Sequence, residues 1–171
     1  MKLNTKEIAV FGMLGAVMFA SKMLMEILPN IHLLGTFIVA ITVVYRKKAL
    51  YPIYIYVLLN GIFAGFATWW IPYLYVWTVL WVAIMILPKK MPPKVAPIVY
   101  AVVCSLHGFG FGILYAPAQA ILYGLNFEQM IAWIIAGSAF DVLHAAGDFA
   151  AGLLILPTVK LLRKIDTNIY S

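Results

Sequence analysis

The chain has 171 residues, 65% of them hydrophobic and 11% charged, with 12 Lys and Arg against 6 Asp and Glu. A soluble domain of this length has too little interior to cover so much apolar surface, so the composition points to a single all-α integral-membrane domain with lipid as its solvent. The net charge of +6 is accounted for by membrane topology and attraction to anionic lipid, and requires no nucleic-acid partner.

Prolines and small basic clusters divide the chain into six expected transmembrane spans, at 8–28, 31–45, 49–67, 73–87, 95–115 and 138–160. The first ends at Pro29-Asn30 and the second at Arg46-Lys47-Lys48. The third closes at Thr68–Pro72 and the fourth at Pro88–Lys94. Crossing the hydrocarbon takes about 20 apolar residues, so the second and fourth spans are short. The stretch 116–137 is expected to form an outer loop or lid.

Charge supports this division, because basic loops stay on the cytoplasmic side. With the N-terminus inside, Lys2, Lys6, Arg46, Lys47, Lys48, Lys89, Lys90, Lys94, Lys160, Arg163 and Lys164 all fall on the inner face, and both termini are cytoplasmic. The first apolar run leads into a second span without a small-residue cleavage site, so it is expected to be a retained helix. The single cysteine, Cys104, reads as a small core residue. No Walker-type phosphate loop, HExxH or nucleophile elbow is present, so an enzyme is not expected and any ATP hydrolysis would belong to other subunits.

Lys22 is the basic residue that breaks the pattern, lying inside the first span with Glu26 four positions later. At 1.5 Å per residue both sit roughly 21–27 Å from the inner edge, where charge is costly and tends to face a cavity. Asp141, His144 and Asp148 lie at a similar depth in the last span, and their i, i+3, i+7 spacing puts them on one helical face. Two distant helices thus carry buried charge at one outer level, as a pocket open to the outside requires. Blander readings stand beside this one. Lys22 and Glu26 neutralise each other, Asp141 caps a helix starting near Gly137-Ser138, and His144 is a core histidine. Asp141, His144 and Asp148 are metal-ligand types, but without a fourth ligand in sequence no metal is expected.

Trp69, Trp70, Tyr73, Tyr75 and Trp77 cluster at the same end, as an interfacial belt or as stacking walls for a flat ring. The outer segment adds Gln119, Tyr123, Asn126, Glu128 and Trp133. Asn60 and His107 read as core hydrogen-bonders. Gly12, Gly15, Ala16 and Ala20 on the first span allow close helix approach, within the chain or to another protein.

Six helices with internal termini, Ala16-x-x-x-Ala20 in the first helix, an outward polar pocket and the stretch AWIIAGSAFDVLHAAGDFAAGLLILP (132–157) together resemble the S component of an energy-coupling factor transporter of Gram-positive bacteria. The resemblance implies a cell-membrane subunit that binds a vitamin, a vitamin precursor or a metal ion from outside. It also implies a transmembrane T component and two cytoplasmic ATPases as partners, with Gly12, Ala16 and Ala20 at the T-component interface. The metal-specific branch carries an N-terminal Met-His, and this chain begins MKLNTK, so nickel or cobalt is not the expected cargo. Lys22, Glu26, Trp69, Trp70, Tyr73, Trp77, Gln119, Trp133, Asp141, His144 and Asp148 are then the expected substrate contacts, with no cofactor. Their charges disfavour a polyanion and their rings favour a neutral or weakly cationic heteroaromatic compound. A standalone carrier or channel with an Asp/His relay is the alternative, and a membrane enzyme the third.

Overall fold

The computed structural model describes residues 3–28 and 31–170, and every regular element among them is helical. The first, α1 (Thr5–Leu24), opens on a capping box. Asn4 Oδ1 accepts the Glu7 N–H at 2.8 Å and Glu7 Oε2 accepts the Asn4 N–H at 3.1 Å, so two donors that the first turn would leave free are satisfied. Glu7 is buried and also receives the Lys48 ammonium, which ties the start of α1 to the turn after the next helix.

That next helix, α2 (Leu34–Tyr45), is the central strut. Leu34, Gly35, Thr36 and the run Ile38–Thr42 are all buried. Its β-branched composition would suit a strand, but in hydrocarbon a lone segment satisfies its backbone only as a helix. A 3-10 turn at Arg46–Ala49 leads into α3 (Leu50–Ala64), and a second at Thr68–Trp70 into α4 (Tyr73–Ile86). Gly110 separates α5 (Ala96–Phe109) from α6 (Phe111–Tyr123). The chain ends in α7 (Phe127–Ala151) and α8 (Ile155–Tyr170), joined by the 3-10 turn Gly152–Leu154.

Around α2 the other helices pack as α1 on α3, α5 on α7, α6 on α7 and α8 on α2. Small residues mark the tight crossings, because dense packing is what holds helices together where apolar burial gives no net gain. A Cβ built on Gly15 would lie 2.5 Å from Ile55 Cγ2, and one on Gly152 would lie 2.5 Å from Ala101 Cβ. Side-chain hydrogen bonds to distant carbonyls add register. Thr36 Oγ1 donates to Ala151 O at 3.0 Å, Ser105 Oγ to Ala145 O at 2.9 Å and Trp81 Nε1 to Arg46 O at 3.0 Å.

Among the described residues, four stretches are long and apolar enough to cross a membrane: Thr5–Leu24, Thr68–Ile86, Ala96–Tyr123 and Phe127–Thr167. The helices of the second and third expected spans, α2 and α3, have 12 and 15 residues, shorter than the roughly 20 of a full crossing. The outward surface is apolar, with Ile62, Phe63, Ile86, Leu106, Ile121 and Leu153 all well exposed.

Two boundaries differ from expectation. The stretch 116–137 is not a loop or lid, since α6 runs to Tyr123 and α7 begins at Phe127. Gly124 stops α6 in the left-handed conformation at φ +65°, and Asn126 starts α7 with a capping box to Gln129. The sequence Asn-x-x-Gln carries this signal. The helix that carries Asp141, α7, therefore starts well before Ser138, and Asp141 is not its N-cap.

Candidate functional site

The two ends of the bundle differ in chemistry. At one end Arg46, Lys47, Lys48 and Lys89 line one shallow cavity, and Lys89, Lys90, Lys160 and Arg163 line another. At the other end a cavity of about 180 Å³ opens between the end of α1, the 31–33 segment, α3, α4, α6 and α7. Each strut links the two. The first helix runs from Glu7, beside Lys48, to Lys22 at the cavity; α2 leads from the His32 segment to Arg46. The cavity is below the usual range for drug-sized ligands, and a cavity of about 150 Å³ holds benzene. It suits a ligand of about one ring.

Its polar rim is the Lys22–Glu26 pair, Nζ to Oε1 at 3.2 Å, with the Glu26 side chain 62% exposed. The chain reaches this position through successive turns after α1, with Glu26 N–H donating to Met23 O, Leu28 N–H to Met25 O and Ile31 N–H to Leu28 O. Tyr56, Tyr73, Trp77 and Phe111 supply the aromatic walls, and His32 and His144 supply ring nitrogens. These rings touch in sequence. Tyr73 meets Trp77 edge to face at 5.6 Å, Trp77 meets Phe111 at 5.4 Å, Phe111 meets His144 at 5.1 Å, and His144 meets His32 at 4.7 Å. Rings held by neighbours on both sides keep a fixed orientation, so the walls are preformed.

Asp148 lies one turn beyond His144, behind the cavity wall, with Oδ2 3.6 Å from His144 Nε2. It is 1% exposed, and among the described residues no N–H or O–H group satisfies either carboxylate oxygen. Its polar neighbour on the other side is the Cys104 thiol, a weak donor. Two glycines make room for it. A Cβ on Gly35 of α2 would approach Asp148 Oδ1 at 3.1 Å, and one on Gly108 of α5 would approach Oδ2 at 2.8 Å. Lys22 is paired with Glu26, so among the described residues no lysine or arginine pairs with Asp148.

Of the expected contacts, Lys22, Glu26, Tyr73, Trp77 and His144 line the cavity. The others lie elsewhere. Asp141 accepts the Gly112 N–H at 3.2 Å through Oδ1 and so caps α6 from the side of α7, which is a structural task. Trp70 Nε1 donates to Val57 O at 2.7 Å, a strap between the 3-10 turn and α3. Trp69 meets the cavity only through Tyr73, at 5.5 Å between rings. Trp133 stacks on Tyr115 at 6.0 Å, two rings removed from the cavity wall, and Gln119 lies on that same helix as Tyr115 outside it. The reason is common to these residues. Depth in a span was inferred from sequence, but which face of each helix turns inward depends on the tertiary packing.

Asn60 and His107 behave as core hydrogen-bonders, Nδ2 donating to Tyr56 O at 2.8 Å and Nε2 to Val76 O at 3.0 Å. His32, Tyr56 and Phe111 line the site without having been expected there. For His32 a signal existed: a histidine just past the Pro29-Asn30 break stands at the same outer level as Glu26. With it, His32, His144 and Asp148 form a three-donor group, one donor atom from each within 4.8 Å of the others. No metal was expected from the sequence because Asp141, His144 and Asp148 have no fourth ligand beside them in the chain. The fold replaces Asp141 by His32.

On the first helix, Ala16 and Ala20 are exposed and a Cβ on Gly12 would meet nothing within 4 Å. Gly15 is the small residue that serves packing within the chain. The stripe Gly12, Ala16, Ala20 faces outward.

No protein-family model, no curated protein and no solved structure matches this chain.

Proposed function

We propose that this chain is the substrate-binding membrane subunit of an energy-coupling factor importer, taking up a small heteroaromatic compound such as a vitamin or vitamin precursor. The observation that carries this reading is the polarity of the bundle: a preformed, ring-walled cavity at one end and the basic residues at the other. Under the positive-inside rule the basic end is cytoplasmic, so the cavity faces outward. In this reading the chain crosses the membrane six times with both termini inside, as α1, α2, α3, α4, α5–α6 and α7–α8. The short α2 lies in the bundle centre, where its ends are covered by protein.

Binding would rest on stacking against Tyr73, Trp77 and Phe111, with the Lys22–Glu26 pair at the mouth and ring nitrogens of His32 and His144 below. A neutral or weakly cationic ring suits a site with one carboxylate in excess. The outward stripe Gly12, Ala16, Ala20 supports a docked helix from another protein, because a smooth surface lets backbones approach closely. Energy would come from a T component and two ATPases.

Small molecules released from gently purified wild-type protein and from Trp77→Ala, identified by mass spectrometry, test the binding role. A heteroaromatic compound retained by the wild type and depleted in the variant is expected. Its absence from the wild type, or equal retention by both, contradicts the reading.

A further inference from the structure

We infer that His32, His144 and Asp148 form a binding site for a divalent first-row transition-metal ion at the floor of the outer cavity, with an open coordination position facing the cavity. The inference rests on that cavity being the substrate site of the proposed function, and it names what the deepest part of the site recognises.

Three independent features point the same way. The first is donor chemistry and spacing. Two imidazoles and one carboxylate are a set favoured by zinc, nickel, cobalt and iron, whereas magnesium and calcium favour oxygen donors alone. His144 and Asp148 are separated by one helical turn on α7, and His32 comes from a different segment, between α1 and α2. Around an ion with bonds of about 2.0–2.1 Å, ligand atoms stand roughly 3.4 Å apart. His144 Nε2 and Asp148 Oδ2 are already 3.6 Å apart. The donor atoms of the trio lie within 4.8 Å of one another, so an adjustment of about 1.4 Å or less brings them to that spacing.

Unmet bonding capacity is the second feature. His32 Nδ1, His144 Nε2 and both oxygens of Asp148 are buried without a hydrogen-bond partner. Buried polar atoms are paired in the great majority of cases, and several unpaired ones at one point indicate a missing partner. Hydrogen bonding between His144 and Asp148 would have been the simplest resolution. Their separation is too long for it and suits an ion between them.

The third is cost. An uncompensated carboxylate that is 1% exposed is expensive in a bundle interior. Lys22 is paired with Glu26 at 3.2 Å, and Asp148 lies behind the wall that Lys22 lines. A divalent cation supplies the missing charge and uses all three orphaned groups at once. His32 and His144 line the cavity while Asp148 does not, so the three ligands lie on the inner side of the ion. The remaining position faces Tyr73 and Trp77, where water or a nitrogen or oxygen of the organic substrate would complete the shell. The ion arrives either as the hydrated species or already held by a chelating compound, and the coordination is the same.

Isothermal titration of the metal-free, detergent-purified full chain with zinc, nickel or cobalt chloride tests this. The wild type is expected to bind one ion, with Asp148→Asn and His32→Ala each weakening binding by about tenfold or more. Asp141→Asn, outside the trio, leaves it unchanged. Gel filtration of each variant checks that it remains folded, and His144→Gln provides a third arm if one does not. No saturable binding by the wild type, or affinity unaltered in folded variants of the trio, overturns the inference. Absence of metal binding while ATPase subunits still co-purify refutes the metal site alone. Metal binding by a chain that has no such partners upholds the site and refutes the importer reading.

Discussion

His144 and Asp148 stand one turn apart on α7 with Nε2 and Oδ2 separated by 3.6 Å, and they are the two residues of that 25-residue helix that are buried. A helix whose inward positions are spent on ionisable groups is contrary to what packing alone would select. The neighbouring helices are shaped around the pair, which is where the first prediction arises.

Gly108→Ala is expected to destabilise the protein by about 1–3 kcal/mol, the range for overpacking a close contact. Its Cβ would press on Asp148 Oδ2 at 2.8 Å and on the α7 backbone at 3.2 Å, and backbone has little freedom to yield. Gly35→Ala meets Cys104 Sγ at 2.5 Å and Asp148 Oδ1 at 3.1 Å and is expected to behave similarly. Gly12→Ala points into open space and serves as the control. Thermal melting in detergent measures all three, and equal melting temperatures would show that α2 and α5 do not close on Asp148.

Asp141→Ala is expected to cost about 0.5–2 kcal/mol, the range for losing a helix cap, through its bond to the Gly112 N–H. Ligand retention should be unchanged, because Asp141 does not line the cavity. Loss of retained compound at full stability would return Asp141 to the binding site.

The Lys22–Glu26 pair is partly exposed, with side-chain accessibilities of 24% and 62%, and Glu26 lies in the turn beyond the end of α1. Lys22→Met should therefore change stability by less than about 0.5 kcal/mol. Retention of substrate should fall all the same, since the pair forms the cavity mouth. A matched loss of stability and retention would mean that the pair is structural.

Ala16→Leu combined with Ala20→Leu should leave the melting temperature near that of the wild type, because both positions are exposed. The same variant should lose its partner subunits when isolated from native membranes. Retention of the partners would move the interface off this face of α1.

The helical class, and a common level for several residues that line the cavity, were legible in the sequence for a clear reason. The composition carries more apolar surface than a core of this size would cover, and 1.5 Å per residue converts spacing into depth. Lys22, Glu26 and His144, placed by depth, and Tyr73 and Trp77, placed by the aromatic cluster, all line the cavity. Azimuth was not legible: Asp141 shares a helical face with His144 over one turn, yet it meets the N-terminus of α6 while His144 meets His32. His32 was missed because a single histidine beside a Pro-Asn break has no periodic partner on its own segment. The start of α7 was missed although Asn126 and Gln129 form a capping box, since a continuous apolar pattern drew attention to the more hydrophobic stretch that follows.

Isolation of the tagged chain from its native membrane in mild detergent, with identification of the co-purifying proteins by mass spectrometry, tests the importer reading most directly. A second membrane subunit together with two nucleotide-binding ATPases is the result this account predicts. Recovery of the chain alone, in a detergent that preserves other membrane complexes from the same preparation, would contradict it.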